Sequence, residues 1–214
     1  MLSNPKQRIA PLTPPYDDET AAALAEMRSE IALFRLFARR PLRAHGTRGW
    51  GRYYYSKDLA LTIRQRELVI DRTTARLGAS YEWGIHIGLF AGKAGLTEEQ
   101  VTSVTYGSPS DDCWEDNDRA VIAAVDALLD TADIDDATWV NLVAAVGEEG
   151  AIDLLLLCGW YHSIAFVVRA IRLDPEPGMP TLQAQAHDGS DALPDVRPPD
   201  VPGNRSDNPL SRGD

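Results

Sequence analysis

Residues 63–94 constrain this chain most. They read as two helical segments, about Ile63 to Leu77 and Tyr81 to Ala94, with Gly78 between them and Gly95 just past the second. So short a break folds the two back on each other as a hairpin. On the second segment Glu82 and His86 stand four residues apart and share one helix face. Trp83, Ile85, Ile87, Leu89 and Phe90 leave that helix little polar surface. The pair is therefore expected in a partly buried pocket, where burial raises a glutamate's pKa and tunes a side chain for acid/base work. On a solvated face the same spacing would be a plain ion pair worth about 0.2–0.5 kcal/mol. Glu67 lies on the first segment with Arg64, Arg66 and Asp71 close by.

The rest of the chain reads as helices too. Asp17 or Asp18 can cap a helix through about Arg40, with Leu24, Met27, Ile31, Phe34 and Phe37 as its apolar stripe. Pro41 is expected to end it. Residues 45–57, with Gly46, Gly49, Gly51 and the run Tyr53-Tyr54-Tyr55, read as a loop or one short turn. Thr97-Glu98-Glu99-Gln100 is a capping box, and further helices are expected at 115–130, 137–146 and 149–172. No stretch alternates apolar and polar long enough to require a strand, so the fold class is all-α. Residues 1–16, with four prolines, are expected as an extended arm, and the helical body spans about 17–173. From 174 to 214 eight prolines and no aromatic residue describe a disordered acidic tail, dispensable for folding from about residue 180.

A net charge of −11 argues against a nucleic-acid or anionic-membrane partner. The tail holds eight acidic residues against three arginines, a net of −5, which leaves −6 for the body. Cys113 and Cys158 stand far apart in no metal or redox spacing. Neither they nor the N-terminus suggests an oxidising compartment, so the expectation is a cytoplasmic protein. The apolar run 154–168 carries His162 and is bracketed by Asp153 and Arg169, which fits a buried helix better than a membrane span.

Tyr161 and His162 lie in that last helix. A histidine there is ordinarily a satisfied core residue, but if the helix packs beside 81–94 both can line the pocket with Tyr81 and Trp83. Tyr53, Tyr54 and Tyr55 either cover a pocket mouth or pack on the body. A metal held by Glu82 and His86, completed by His162 or Glu67, is an alternative with weak spacing support, and neither a metal nor a cofactor is expected. Phosphate-binding and serine-nucleophile motifs are absent from the sequence.

The stretch from Arg66-Glu67-Leu68 to Ser80-Tyr81-Glu82-Trp83-Gly84-Ile85-His86 resembles the carboxymuconolactone decarboxylase family, which includes the alkylhydroperoxidase D-like thiol peroxidases. In the peroxidase branch a Glu is followed twelve residues later by Cys-x-x-Cys, and a His comes four residues after the second Cys. The Glu falls on Glu67 and the His on His86, while Ala79 and Glu82 stand at the cysteine positions. The wording Tyr-Glu-Trp-x-x-His is similar to a cysteine-free branch, and a weaker likeness extends over about 10–175. The resemblance implies an antiparallel helical bundle and a homo-oligomer, whether dimer, trimer or hexamer, with the last helix as an interface. It also implies acid/base chemistry on a small organic acid or lactone, such as decarboxylation, isomerisation or hydration. His86 would shuttle the proton, Glu82 would be its partner and Glu67 would orient it. The competing expectations are a peroxidase activity, for which the thiols are missing, and a non-catalytic oligomeric binding protein.

Overall fold

The computed structural model describes residues 6–183, and all of them except Gln183 belong to one compact unit, Met1–Leu182. The described residues form eight helices and no strand: α1 Asp18–Met27, α2 Ala32–Phe37, α3 Pro41–Tyr54, α4 Ile63–Arg76, α5 Ser80–Phe90, α6 Glu98–Tyr106, α7 Asp116–Thr131 and α8 Asp136–Ile171. The expected α4–α5 hairpin is present. Gly78, at φ 64°, makes the turn in a conformation that costs a residue with a Cβ about 1–2 kcal/mol. Capping boxes start α4 (Thr62 with Gln65) and α6 (Thr97 with Gln100). The last two expected helices appear as α8, interrupted at Gly147, where the backbone leaves the helical region.

Helix α4 is the axle of the bundle, packing against α5, α6, α7 and α8. Its residues from Arg66 to Thr74 are all buried, so polar side chains there must find partners inside the protein. The main core lies around Leu68, Val69 and Ile70 of α4, Val121, Ile122 and Val125 of α7, and Leu154 and Leu157 of α8. A second core joins Leu24 of α1, Leu33 and Phe37 of α2, Tyr81 and Ile85 of α5, and Ile164 and Val168 of α8. By length and composition α8 could cross a bilayer, but half of its most apolar window is buried within the protein.

Two expectations are corrected. The helix expected from 17 to 40 is broken by Arg28 in the left-handed region, and α2 follows as a separate piece. Pro41 does not end a helix. It opens α3 at the first helical position, where its missing N–H has no helical partner to lose and its fixed φ suits the turn. The expected loop 45–57 is therefore mostly helix. Its glycines lower helix propensity, but burial of Ala44 and Tyr54 and stacking of Trp50 on Tyr54 and Trp160 outweigh that local cost.

The expected tail is also packed where it begins. Tyr81 Oη donates to Glu176 Oε1 at 2.7 Å, the Ala32 N–H donates to the same oxygen, and the Leu182 N–H donates to Ser80 Oγ at 3.0 Å. Met179 and Pro180 lie against α5 so closely that a Cβ on Gly84 would sit 2.1 Å from the Pro180 carbonyl oxygen. The remainder of the expected disordered tail lies outside the described residues.

Candidate functional site

Helices α4, α5 and α8 bring Glu67, Glu82, His86 and Tyr161 into contact. His86 Nδ1 is 2.7 Å from Glu67 Oε2, and both side chains are buried, at 2% and 0% exposure. On the other side of the ring, Nε2 is 3.1 Å from Tyr161 Oη and 3.6 Å from Glu82 Oε1. With both ring nitrogens protonated, Nδ1–H donates to Glu67 and Nε2–H points between the tyrosine and the second glutamate. The Tyr161 ring meets the imidazole edge-on at 5.1 Å, and Phe90 lies 5.3 Å from it.

Arg66 fixes Glu67 in turn. Its Nε donates to Glu67 Oε1 at 2.8 Å, with Nη2 2.6 Å from the same oxygen, and its Nη1 donates to the Tyr54 carbonyl at 3.3 Å. The guanidinium lies 4.4 Å from the centre of the Tyr55 ring, and Tyr55 is 47% exposed. The C-terminal end of α3 thus supplies the solvent-side wall of the cluster, which follows from α3 being a helix rather than a loop.

The electrostatics follow from this packing. Burial by itself would lower the His86 pKa, but Tyr55, Glu67 and Glu82 outweigh it and hold the imidazole well above its ordinary range. Burial would raise Glu67, yet His86 and Arg66 bring it below the usual glutamate range. The two shifts agree on an imidazolium–carboxylate pair. Burial pushes the Tyr161 phenol well up, with Tyr55 and the two glutamates adding to it, so Tyr161 is a hydrogen-bonding hydroxyl and not a phenolate. Glu82 Oε2 is buried with no partner, and so are both oxygens of Asp71.

The other expected pocket residues point elsewhere. Trp83 is one residue on from Glu82, about 100° around α5, and its indole N–H donates to Thr105 Oγ1 of α6 at 3.1 Å. Tyr81 faces α2, where its hydroxyl accepts from the Leu33 N–H at 3.0 Å. His162 turns away from Tyr161 and packs against Phe166, with ring centres 4.6 Å apart. Trp83, Tyr81 and His162, expected to line the pocket, thus lie outside the cluster. Of the tyrosine run, Tyr54 is buried in the core and Tyr53 donates to Asp153 at 2.6 Å, while Tyr55 reaches the site. Arg66 and Asp71 were not among the expected site residues, and Tyr55 takes the first of the two places expected for the tyrosine run. The signal for Asp71 was present, since it is four residues from Glu67 and shares its face.

Glu67, Asp71 and His86 present ligand atoms within 4.8 Å of one another and could hold a cation. Against that use, Arg66 already occupies Glu67 Oε1, and its positive charge opposes a second cation there. The thiols are set apart. Cys158 is buried in α8, accepts from Thr73 Oγ1 at 3.5 Å and has its pKa raised by burial, and Cys113 lies between α6 and α7 as a second free cysteine.

No protein-family model and no curated protein matches the chain. Solved structures do. An uncharacterised peroxidase-related protein from Silicibacter sp. TM1040 superposes with a TM-score of 0.67 at 14% identity, covering 83% of this chain and 96% of its own. A protein of unknown function from Agrobacterium tumefaciens, provisionally assigned as the antioxidant defence protein AhpD, superposes with a TM-score of 0.54 at 16% identity, covering 62% of this chain and 89% of its own. By its helices and their arrangement, this chain has the AhpD-like fold.

Proposed function

We propose that this chain is a carboxymuconolactone decarboxylase-like acid/base enzyme that transfers a proton to or from a small organic acid or lactone. The observation that carries this reading is the buried series Arg66–Glu67–His86, whose second ring nitrogen meets Tyr161 and Glu82. A buried imidazolium held by a carboxylate on Nδ1 is a proton donor at Nε2. In a decarboxylation, the C–C bond breaks with loss of CO2, its electron pair stays on the substrate as an enolate, and the Nε2 proton forms the new C–H bond, leaving a neutral imidazole to be reprotonated from water. Glu67 stays ionised and holds the ring, while Glu82 and Tyr161 orient the acceptor carbon.

The neighbours' names suggest a peroxidase instead. A dithiol cycle needs a thiolate and a resolving thiol, and Ala79 and Glu82 stand at those positions. The test is turnover of small lactones and of β-keto and muconate-like acids by the wild-type protein and by His86→Ala. Turnover that survives in His86→Ala would remove the reading.

Self-association belongs to the same proposal. Ile152, Leu155, Leu156 and Phe166 of α8 are exposed at helical spacing and suit a second copy of the chain. Leu156→Glu should lower the oligomeric state measured by light scattering. An unchanged state would place the interface elsewhere.

A further inference from the structure

Asp71 is buried completely, and neither of its carboxyl oxygens has a hydrogen-bond partner. It lies one helical turn from Glu67 on α4, and a carboxyl oxygen of each falls within 4.8 Å of the other and of an imidazole nitrogen of His86. Two cations serve this cluster. Arg66 is bound to Glu67, and His86 lies between Glu67 and Glu82. Asp71 makes an ion pair with neither, and an isolated buried carboxylate costs several kcal/mol. Two carboxyls this close in a dry site do not both ionise cheaply. Burial first, and Glu67 second, push Asp71 well above the carboxyl range, while His86 pulls the other way. The groups facing the pair are Arg66 on α4, His86 and Glu82 on α5, Tyr161 on α8 and Tyr55 at the end of α3.

We infer that Glu67 and Asp71 form a two-carboxyl counter-ion that carries one negative charge and one proton between them, with Asp71 holding the proton at rest and standing in reserve for Glu67. Asp71 is then a positioning residue. It fixes His86 as imidazolium whichever of the two carboxyls is ionised, so the site is poised to donate a proton before it accepts one. This assignment rests on the proton-transfer reading of His86.

The experiment reads charge states in the full-length protein at neutral pH, without turnover. Infrared spectra of the wild type should contain the carbonyl band of a protonated carboxylic acid, and Asp71→Asn should remove it. Glu67→Gln should also remove it, because Asp71 then ionises to pair with His86. By NMR of the labelled imidazole, His86 should stay charged in Glu67→Gln and in Asp71→Asn. In the double variant its pKa should fall by about one unit or more as the inner counter-ion disappears. Absence of the wild-type band overturns the inference even if a variant fails to fold. So does loss of the imidazolium in Glu67→Gln alone, or stoichiometric zinc uptake that Asp71→Asn abolishes, because the carboxyls would then be ligands. A protein with these charge states but no turnover would retain the counter-ion pair and lose the proposed reaction. Turnover without the band would do the reverse.

Discussion

Helix α4 carries two polar clusters about a turn apart, one running from buried Arg72 out to exposed Arg76 and one buried, and they are built to different standards. In the first, Arg72 holds Asp126 with Nε and Nη2 at 2.6 and 2.7 Å and donates Nη1 to the carbonyls of Val104 and Gly107 at 3.1 and 3.0 Å. Arg76 adds a bond to the same aspartate at 2.7 Å. This cluster fastens α4 to α6 and α7 and leaves no carboxyl oxygen of Asp126 unused. The second cluster, around Glu67 and His86, contains three carboxyls, of which Asp71 and one oxygen of Glu82 go without partners. A satisfied buried network rigidifies a fold, whereas an incomplete one is costly and persists where chemistry needs it. Both clusters have a buried arginine, Arg66 in one and Arg72 in the other, so it is the unpartnered carboxyl oxygens that tell them apart.

The largest expected effect comes from breaking the fastening. Asp126→Ala leaves Arg72 as a buried charge without its carboxylate, a change that costs about 3 kcal/mol or more. It should lower the thermal midpoint by roughly 6–12 °C in a domain of this size. Calorimetry showing no drop would mean that the cluster is solvated. His86→Ala should do the opposite: a fall in turnover of about 10²-fold or more, with near wild-type circular dichroism and a soluble protein. A collapsed fold in that variant would make the second cluster a fastening as well.

The pH dependence should also differ between the clusters. His86 has a raised pKa, so its contribution to stability is complete below the ordinary imidazole value and fades as pH rises through the folded value. Asp71 has a raised pKa as well, and the unfolded chain ionises it first, so its burial lowers stability as pH climbs above the ordinary carboxyl range. Glu67, lowered, contributes above the ordinary carboxyl value and loses its share only in acid. The thermal midpoint should therefore decline on the alkaline side of neutrality, and the slope should be shallower in His86→Gln. A midpoint independent of pH there would place neutral imidazole in the resting site.

The smallest expected effect concerns the strap formed by Met179 and Pro180 across α5. Gly84→Ala puts a Cβ onto the Pro180 carbonyl and must displace residues 179–180, at about 1–3 kcal/mol for an overpacked contact. The Glu67–His86 distance lies on the opposite side of α5, so turnover should change less than in His86→Ala. A loss of turnover as large as that of His86→Ala would show that the strap sets the position of α5.

Local pattern carried a good part of this molecule. The α4–α5 hairpin, the stop at Gly78, the capping box at Thr97 and the break near Gly147 all follow from residue types whose effects act within a few positions. Glu82 and His86 were legible together from their spacing on one helix face, Glu67 from the family resemblance, and Tyr161 only on the condition that the last helix packs beside 81–94. Trp83 and Tyr81 were misplaced because proximity in sequence is not proximity on a helix, where one step turns the side chain by about 100°. His162 failed for the same reason next to Tyr161.

Other features depend on contacts that no short window contains. A glycine-rich run after a proline is locally a poor helix, and α3 exists because Ala44 and Tyr54 find a core to enter. The position of Tyr55 over Arg66 depends on that helix. Likewise Glu176 and Pro180 look like linker residues until Tyr81, Ala32 and Gly84 meet them. The sequence by itself determined an all-helical chain and the shared helix face of Glu82 and His86, because both depend on interactions within a turn or two of helix. Only the tertiary structure decided that Asp71 is buried without a partner and that Arg66 holds Glu67 under Tyr55. Burial and pairing are set where distant helices meet, and those meetings fix the charges on which the proposed chemistry depends.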